Sequence, residues 1–192
     1  MIKNNSKYTI LFICFGILSC QPIELIDDIV FDYNQLSKII ISAEQKKIIN
    51  LYDSKFSEPY IDHSLENTPI KFLNKWFENN INIIGTENSF EMIVLDASIK
   101  KSEIPNNNSK KYQEKTIFIF EISYLVEFTL YDDYKLILAN SIVEAKRSTT
   151  SGKYISLMET ERIIDTLILD CLIDISKKSE ELIKIHMSNY IL

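Results

Sequence analysis

Two runs rich in β-branched and aromatic residues, Thr116 to Tyr131 and Lys135 to Thr149, are separated only by the turn Tyr131-Asp132-Asp133-Tyr134. So short a connection can join only antiparallel strands, so a long hairpin is the frame on which the rest of the chain must fold. Punctuation elsewhere is sparse. Beyond the first 20 residues glycine occurs only at 85 and 152, and prolines only at 22, 59, 69 and 105, so the regular elements are expected to be long.

The segment from 38 to 51 carries Ile39, Ile40, Ile41, Ile48 and Ile49 around a polar stretch, Glu44 to Lys47, which predicts a first strand with a bulged middle. Asp53 to Asn67 has no period and reads as a loop. Thr68-Pro69 then supplies an N-cap and a first-turn proline, and Ile70, Leu73, Trp76, Phe77 and Ile81 recur at helical spacing. After Gly85, Phe90, Met92, Val94 and Asp96 alternate with Glu91, Ile93, Leu95 and Ala97 in a strand apolar on both faces except at its end, and Asn106 to Lys111 is a polar connection. Ser156 and Glu159 have capping-box spacing ahead of a long stripe, Ile163, Ile164, Leu167, Ile168, Cys171, Leu172, Ile175, Leu182 and Ile183, which predicts a helix to about His186.

This order, strand-helix-strand-strand-strand-helix, predicts an α+β fold: one domain with a four-stranded mixed sheet and two helices packed on one face. The first two strands should be parallel, joined by the helical crossover. The other face of the sheet, with Ile, Phe, Tyr and Leu expected on both sides, should meet something apolar.

The first residues set location rather than fold. Lys3 and Lys7 precede an apolar run from Tyr8 to Leu18, and Ile17-Leu18-Ser19-Cys20 places a small residue before a thiol. This is the pattern of a lipoprotein export signal cleaved between Ser19 and Cys20, with lipid attached to Cys20; Leu18 is bulkier than is usual at its position. An ordinary signal peptide or an uncleaved short anchor are the alternatives, and the run is about half the roughly 20 residues that a spanning helix requires. The expected organisation is a signal at 1–19, a lipid anchor and acidic tether at 20–37, and the α/β domain at 38–192, with Ile23 to Phe31 as an alternative edge strand. Several acyl chains on Cys20 would give stable membrane attachment. Gln21 stands where aspartate would be a retention signal for the inner membrane, so the expected location is the outer membrane, periplasmic face.

The chain holds 21 basic and 27 acidic residues, a formal charge of −6 that becomes more negative if Lys3 and Lys7 leave with the signal. An acidic surface disfavours nucleic acid as a partner. With Cys14 in the signal and Cys20 acylated, Cys171 would be the only thiol of the domain, placed on the apolar helix stripe as an inert core residue.

Motifs for chemistry are few. Asp62-His63, in the loop beside Pro59 and Tyr60, pairs an acid with a histidine, but sequence neighbours do not face one another by default, and a loop histidine bonded to backbone accounts for it. Asp96-Ala97-Ser98 lacks the Gly-x-Ser-x-Gly elbow of a hydrolase. Lys146-Arg147 with Lys153, and Lys100-Lys101 with Lys110-Lys111, read as solvated strand-end cations, with the phosphate of a lipid head group as the alternative ligand. Neither a phosphate-cradling glycine loop nor metal-spaced cysteines occur, so no catalytic residue, metal or cofactor is expected. Trp76, the sole tryptophan, falls on the stripe of the first helix, and Asp62, His63 and Trp76 make a candidate loop or partner site.

Tyr52, Pro59-Tyr60-Ile61-Asp62-His63, Trp76, Gly85, Phe90, Leu95-Asp96-Ala97-Ser98 and Pro105, in this order and spacing, resemble a family of Gram-negative cell-envelope lipoproteins that has no assigned activity. Its pattern has a Pro-x-Val-Glu-His loop before a Trp-containing helix and then an Asp-Ala-Ser-Val strand. This chain departs from it at Asp62, at Ser64 to Glu66, where an aromatic and a proline are usual, and at Glu78 to Asn80, where a basic residue is usual. The architecture is similar to that of small outer-membrane lipoproteins that assist lipopolysaccharide assembly and of auxiliary lipoproteins of lipid-transporting ABC systems. The resemblance implies a non-enzymatic, membrane-anchored accessory or scaffold whose sheet face and edge strand dock an outer-membrane barrel or a lipid-transport complex. A carrier that holds an acyl chain between helices and sheet is the alternative, and a periplasmic hydrolase using His63, Asp62 or Asp96 is a third reading.

Overall fold

Alternation along the hairpin sends one set of side chains inward without exception: Phe120, Ile122, Tyr124, Val126, Phe128 and Leu130 are all buried. The computed structural model describes residues 31–107 and 109–192, so Ser19, Cys20, the signal and residues 21–30 of the tether lie outside them. Phe31–Leu192 forms one unit.

Strand β1 (Ile39–Ile41) and strand β2 (Gln45–Asn50) share the segment read as one strand. Helix α1 (Pro69–Asn80) leads directly into strand β3 (Ile81–Ile83). Strands β4 (Ser89–Pro105), β5 (Thr116–Tyr131) and β6 (Ile137–Ser151) follow, and helix α2 (Leu157–His186) covers 30 residues. The main sheet has the order β2-β4-β5-β6, with β2 parallel to β4 and the remaining pairs antiparallel. This is the expected α+β mixed sheet. A second, two-stranded parallel sheet pairs β1 with β3, and the chain end joins its other side through Ser42 N–H to the Tyr190 carbonyl at 2.7 Å and Leu192 N–H to the Ile40 carbonyl at 3.0 Å.

The polar stretch in the middle of the first strand is thus a change of sheet rather than a bulge. Lys46 has a specific task there: its Nζ donates to the carbonyls of Glu78 at 2.8 Å and Ile81 at 2.6 Å, closing the C-terminal end of α1 where a cation is favoured. Burial lowers the pKa of this amine, and the nearby Glu78 partly offsets the shift. The 42–44 linker runs so close to Gly85 that a Cβ there would lie 3.0 Å from the Ala43 nitrogen.

Both helices pack on the buried face. Phe77 stacks on Phe90 at 6.1 Å, Phe90 on Phe128 at 5.7 Å, and Trp76 meets Phe128 edge-on at 6.4 Å, so α1 is locked to the sheet by a column of four aromatic rings. The Tyr124 hydroxyl donates to the Pro69 carbonyl at 3.1 Å, at the first turn of α1. The N-cap half of the box at the start of α2 forms, with Ser156 Oγ accepting from Glu159 N–H at 3.1 Å. Its stripe buries Ile164, Leu167, Ile168, Cys171, Leu172, Ile175 and Ile183. Burial pushes the Cys171 thiol up to about 12, which keeps it protonated and unreactive.

A β-bulge in β4 corrects one expectation. Val94 pairs with Val126 but Asp96 pairs with Leu125, leaving Leu95 as the extra residue. The inward phase therefore switches from Phe90, Met92 and Val94 to Ala97 and Ile99, and Asp96 turns to the opposite face from the one its spacing suggested.

Candidate functional site

The face of the sheet that no described element covers is set by the same alternation, read from the other side. Its cross-strand rows are Ile49, Ile93, Glu127 and Ile142; Asp96, Leu125 and Glu144; Ser98, Ser123 and Lys146; Lys100, Glu121 and Ser148; and then Ser102, Ile119 and Thr150. Apart from Tyr131, the aromatic residues of β4, β5 and β6 all turn to the helices, so this face carries aliphatic rather than aromatic groups. Ile142 is 58% exposed. A depression of about 260 Å³ lies at the centre of the face, lined by Ser98, Lys100, Glu121, Ser123, Lys146 and Ser148. The face is thus amphipathic, with an apolar and acidic end beside a basic and hydroxyl-bearing middle.

The loop containing Asp62 and His63 closes one margin of this face. Lys101 N–H donates to the Pro59 carbonyl at 2.8 Å and Ile61 N–H to the Ile99 carbonyl at 3.0 Å, so Pro59 to Ile61 pairs with the part of β4 that extends beyond β2. Tyr60 sits between two lysines: its ring lies 4.2 Å from Lys55 Nζ and 5.1 Å from Lys100 Nζ, and its hydroxyl accepts from Lys55 at 3.0 Å. That hydrogen bond, followed by the charge of Lys100, lowers the phenol's pKa.

Asp62 is buried, its Oδ2 accepting from the Tyr52 hydroxyl at 2.9 Å, whereas His63 is exposed, its Nδ1 3.0 Å from the Lys55 carbonyl and its ring against Phe56. Asp96 accepts from Ser98 Oγ at 3.2 Å. Each of these side chains has its own local partner, and the three are not drawn into one constellation. Trp76 is fully buried in the aromatic column. Among the described residues no group of three or more metal-ligating side chains is found, and no helix is long and apolar enough to cross a membrane.

Lys146, one of the basic residues singled out in the sequence, reaches the central depression, while Arg147 turns to the other side, where its Nη2 donates to Asp174 at 3.0 Å in α2. A second depression of about 410 Å³ runs between β6 and α2 past Arg147, Arg162, Thr166 and Asp170. Sequence reasoning missed the central basic and hydroxyl cluster because its members come from three strands and are joined only by register. Alternation along each strand was the signal, and the bulge at Leu95 hid it.

No family model matches the chain, and no curated protein matches its sequence. Among solved structures it is similar to a minor lipoprotein from Acinetobacter baumannii, with a TM-score of 0.38 and 10% identity over 71% of this chain and 87% of that one. It is also similar to the rare lipoprotein B from Shewanella oneidensis, with a TM-score of 0.35 and 13% identity over 69% of this chain and 88% of that one.

Proposed function

We propose that the protein is a non-enzymatic accessory of the cell envelope, anchored through acylated Cys20 at the periplasmic face of the outer membrane, that docks an outer-membrane barrel or a lipid-transport complex on the open face of its sheet. The observation that carries this reading is the one-sided placement of the helices, which leaves Ile93, Leu125 and Ile142 on an amphipathic surface beside a basic and hydroxyl-bearing depression. The space between α1 and the sheet is filled by Trp76, Phe77, Phe90, Phe128 and Tyr124, and the depression between β6 and α2 is bordered by the charged side chains of Arg147, Glu159, Arg162 and Asp170, so this packing supports docking rather than enclosure of a lipid. The anchor confines the search for a partner to one membrane surface and raises its effective concentration, so that a contact of modest affinity suffices.

The test is a mild-detergent pull-down of the full-length lipidated chain, with mass spectrometry of co-purifying proteins and lipids. A stoichiometric membrane-protein partner is expected. Ile142→Lys and Leu125→Lys should each lower its recovery roughly tenfold or more, by placing a desolvated charge in the contact, with the melting temperature checked in parallel. Recovery unchanged in both variants would remove the open face as the docking surface. Cys20→Ala should move the folded domain to the soluble fraction; retention in the membrane fraction would overturn the anchor.

A further inference from the structure

The two edges of the main sheet are treated differently. On the β2 side the edge is guarded: β2 is short and carries Lys46 and Lys47, and the rest of β4 is paired by Pro59 to Ile61. On the other side β6 runs for 15 residues as the outermost of the described strands, without a proline.

The direction of its backbone groups follows from the ladder. The Ile99 carbonyl and Lys101 N–H point away from β5 to the Pro59–Ile61 segment, so the even-numbered residues that follow the bulge in β4 bond to β5. The odd-numbered residues of β5 opposite them face β4, its even-numbered residues bond to the odd-numbered residues of β6, and the even-numbered residues of β6 face outward. Lys178 Nζ, which reaches from α2 to the Glu144 carbonyl at 2.9 Å, confirms the direction. Asn140, Ile142, Lys146, Ser148 and Thr150 therefore present their N–H and C=O groups, and Glu144 its N–H, along an edge that no other described strand pairs, with their side chains on the open face; the Glu144 carbonyl is held by the exposed Lys178 side chain, which a pairing strand would displace.

We propose that a second copy of this chain pairs along this edge, β6 against β6, antiparallel about a two-fold axis at Ala145. The order of charges selects both occupant and register. With the axis at Ala145, Glu144 of each copy lies opposite Lys146 of the other, Ile142 opposite Ser148, and Asn140 opposite Thr150, so two opposite-charge pairs form at the centre. A shift by two residues in one direction puts Glu144 against Glu144, and in the other direction Lys146 against Lys146. A shift by one turns outward-facing groups against inward-facing ones. Glu144 and Lys146 already bond to one another at 2.6 Å within one copy, so pairing would extend an existing ion pair into an alternating set of four. Ala145, a small residue, occupies the position on the axis where facing side chains come closest. Arg147 is drawn toward Asp174 of its own α2.

The experiment is sedimentation equilibrium of the full-length chain in detergent, comparing wild type with Glu144→Lys, Lys146→Glu and the double exchange. Both positions are exposed, so melting temperatures should stay near wild type. Wild type should dimerise. Each single exchange sets two like-charge pairs across the axis and should weaken the dimer roughly tenfold or more, whereas the double exchange restores opposite pairing and should return affinity to within about threefold of wild type. A wild-type chain that stays monomeric, a dimer indifferent to the single exchanges, or a double exchange that fails to restore pairing would each overturn the proposal.

Discussion

Trp76→Ala is expected to destabilise the protein by about 3–5 kcal/mol, a large part of the ~5–15 kcal/mol that holds a typical domain together. The indole is fully buried and meets Phe128 edge-on, and Phe128 in turn stacks on Phe90 and Phe90 on Phe77. Truncation empties one end of a column in which every ring lends its neighbour a contact surface, and a core of rigid rings closes poorly over the gap. Circular dichroism should show melting lowered by roughly 10 °C or more for a body of this size. Trp76→Phe should cost much less, because the ring contact is kept and because the indole N–H, which has no hydrogen-bond partner among the described residues, is removed with the larger ring. A Trp76→Ala chain that melts within about 2 °C of wild type would show that α1 is held by something other than this column.

The ease with which the sequence yields this architecture is uneven along the chain, and the reasons are local. The β5–β6 hairpin and both helices were legible because their signals are short-range: a tight turn, an N-terminal Thr-Pro pair and a capping box, each followed by an apolar period long enough to establish itself. The start of β6 falls later than expected, at Ile137 rather than Lys135, because Asp132 Oδ1 accepts from the N–H groups of both Tyr134 and Leu136 and extends the turn, with Lys135 in the left-handed region at φ 63°.

Two features depend on tertiary pairing and leave no local period. Strand β3 has three residues, and its Ile81 extends the stripe of α1, so the end of the helix cannot be separated from the start of the strand by spacing alone. The division of 38–51 between two sheets likewise depends on Lys46 reaching the end of α1, a contact between residues more than 30 positions apart. The candidate surface suffered most. A single extra residue at Leu95 reverses the faces of everything after it in β4, and with them the side on which Asp96, Ser98 and Lys100 appear.

The second large effect is expected at Tyr52. Its hydroxyl donates to the buried carboxyl of Asp62, whose other oxygen has no hydrogen-bond partner among the described residues. Burial, followed by the bond to Asp62, raises the phenol's pKa above its ordinary value, so the donor keeps its proton across the physiological range. Tyr52→Phe would remove the side-chain donor and leave a carboxyl in the interior without a partner, a loss of about 1–3 kcal/mol and more for a charged group. Asp62→Asn retains an acceptor for the Tyr52 hydroxyl and should cost less. The damage should also be local. Because Asp62 follows the segment that pairs with β4, the amides of Ile61 and Lys101, bonded to the Ile99 and Pro59 carbonyls, should exchange with deuterium faster in Tyr52→Phe while those of β5 remain protected. Equal exchange in both places would mean that the loop and the sheet open together, and that the Tyr52–Asp62 bond is not what fastens the loop. If the loop alone loosens, this bond is what keeps the β2 side of the sheet closed, and the asymmetry between that side and β6, the edge that no other described strand pairs, rests on it.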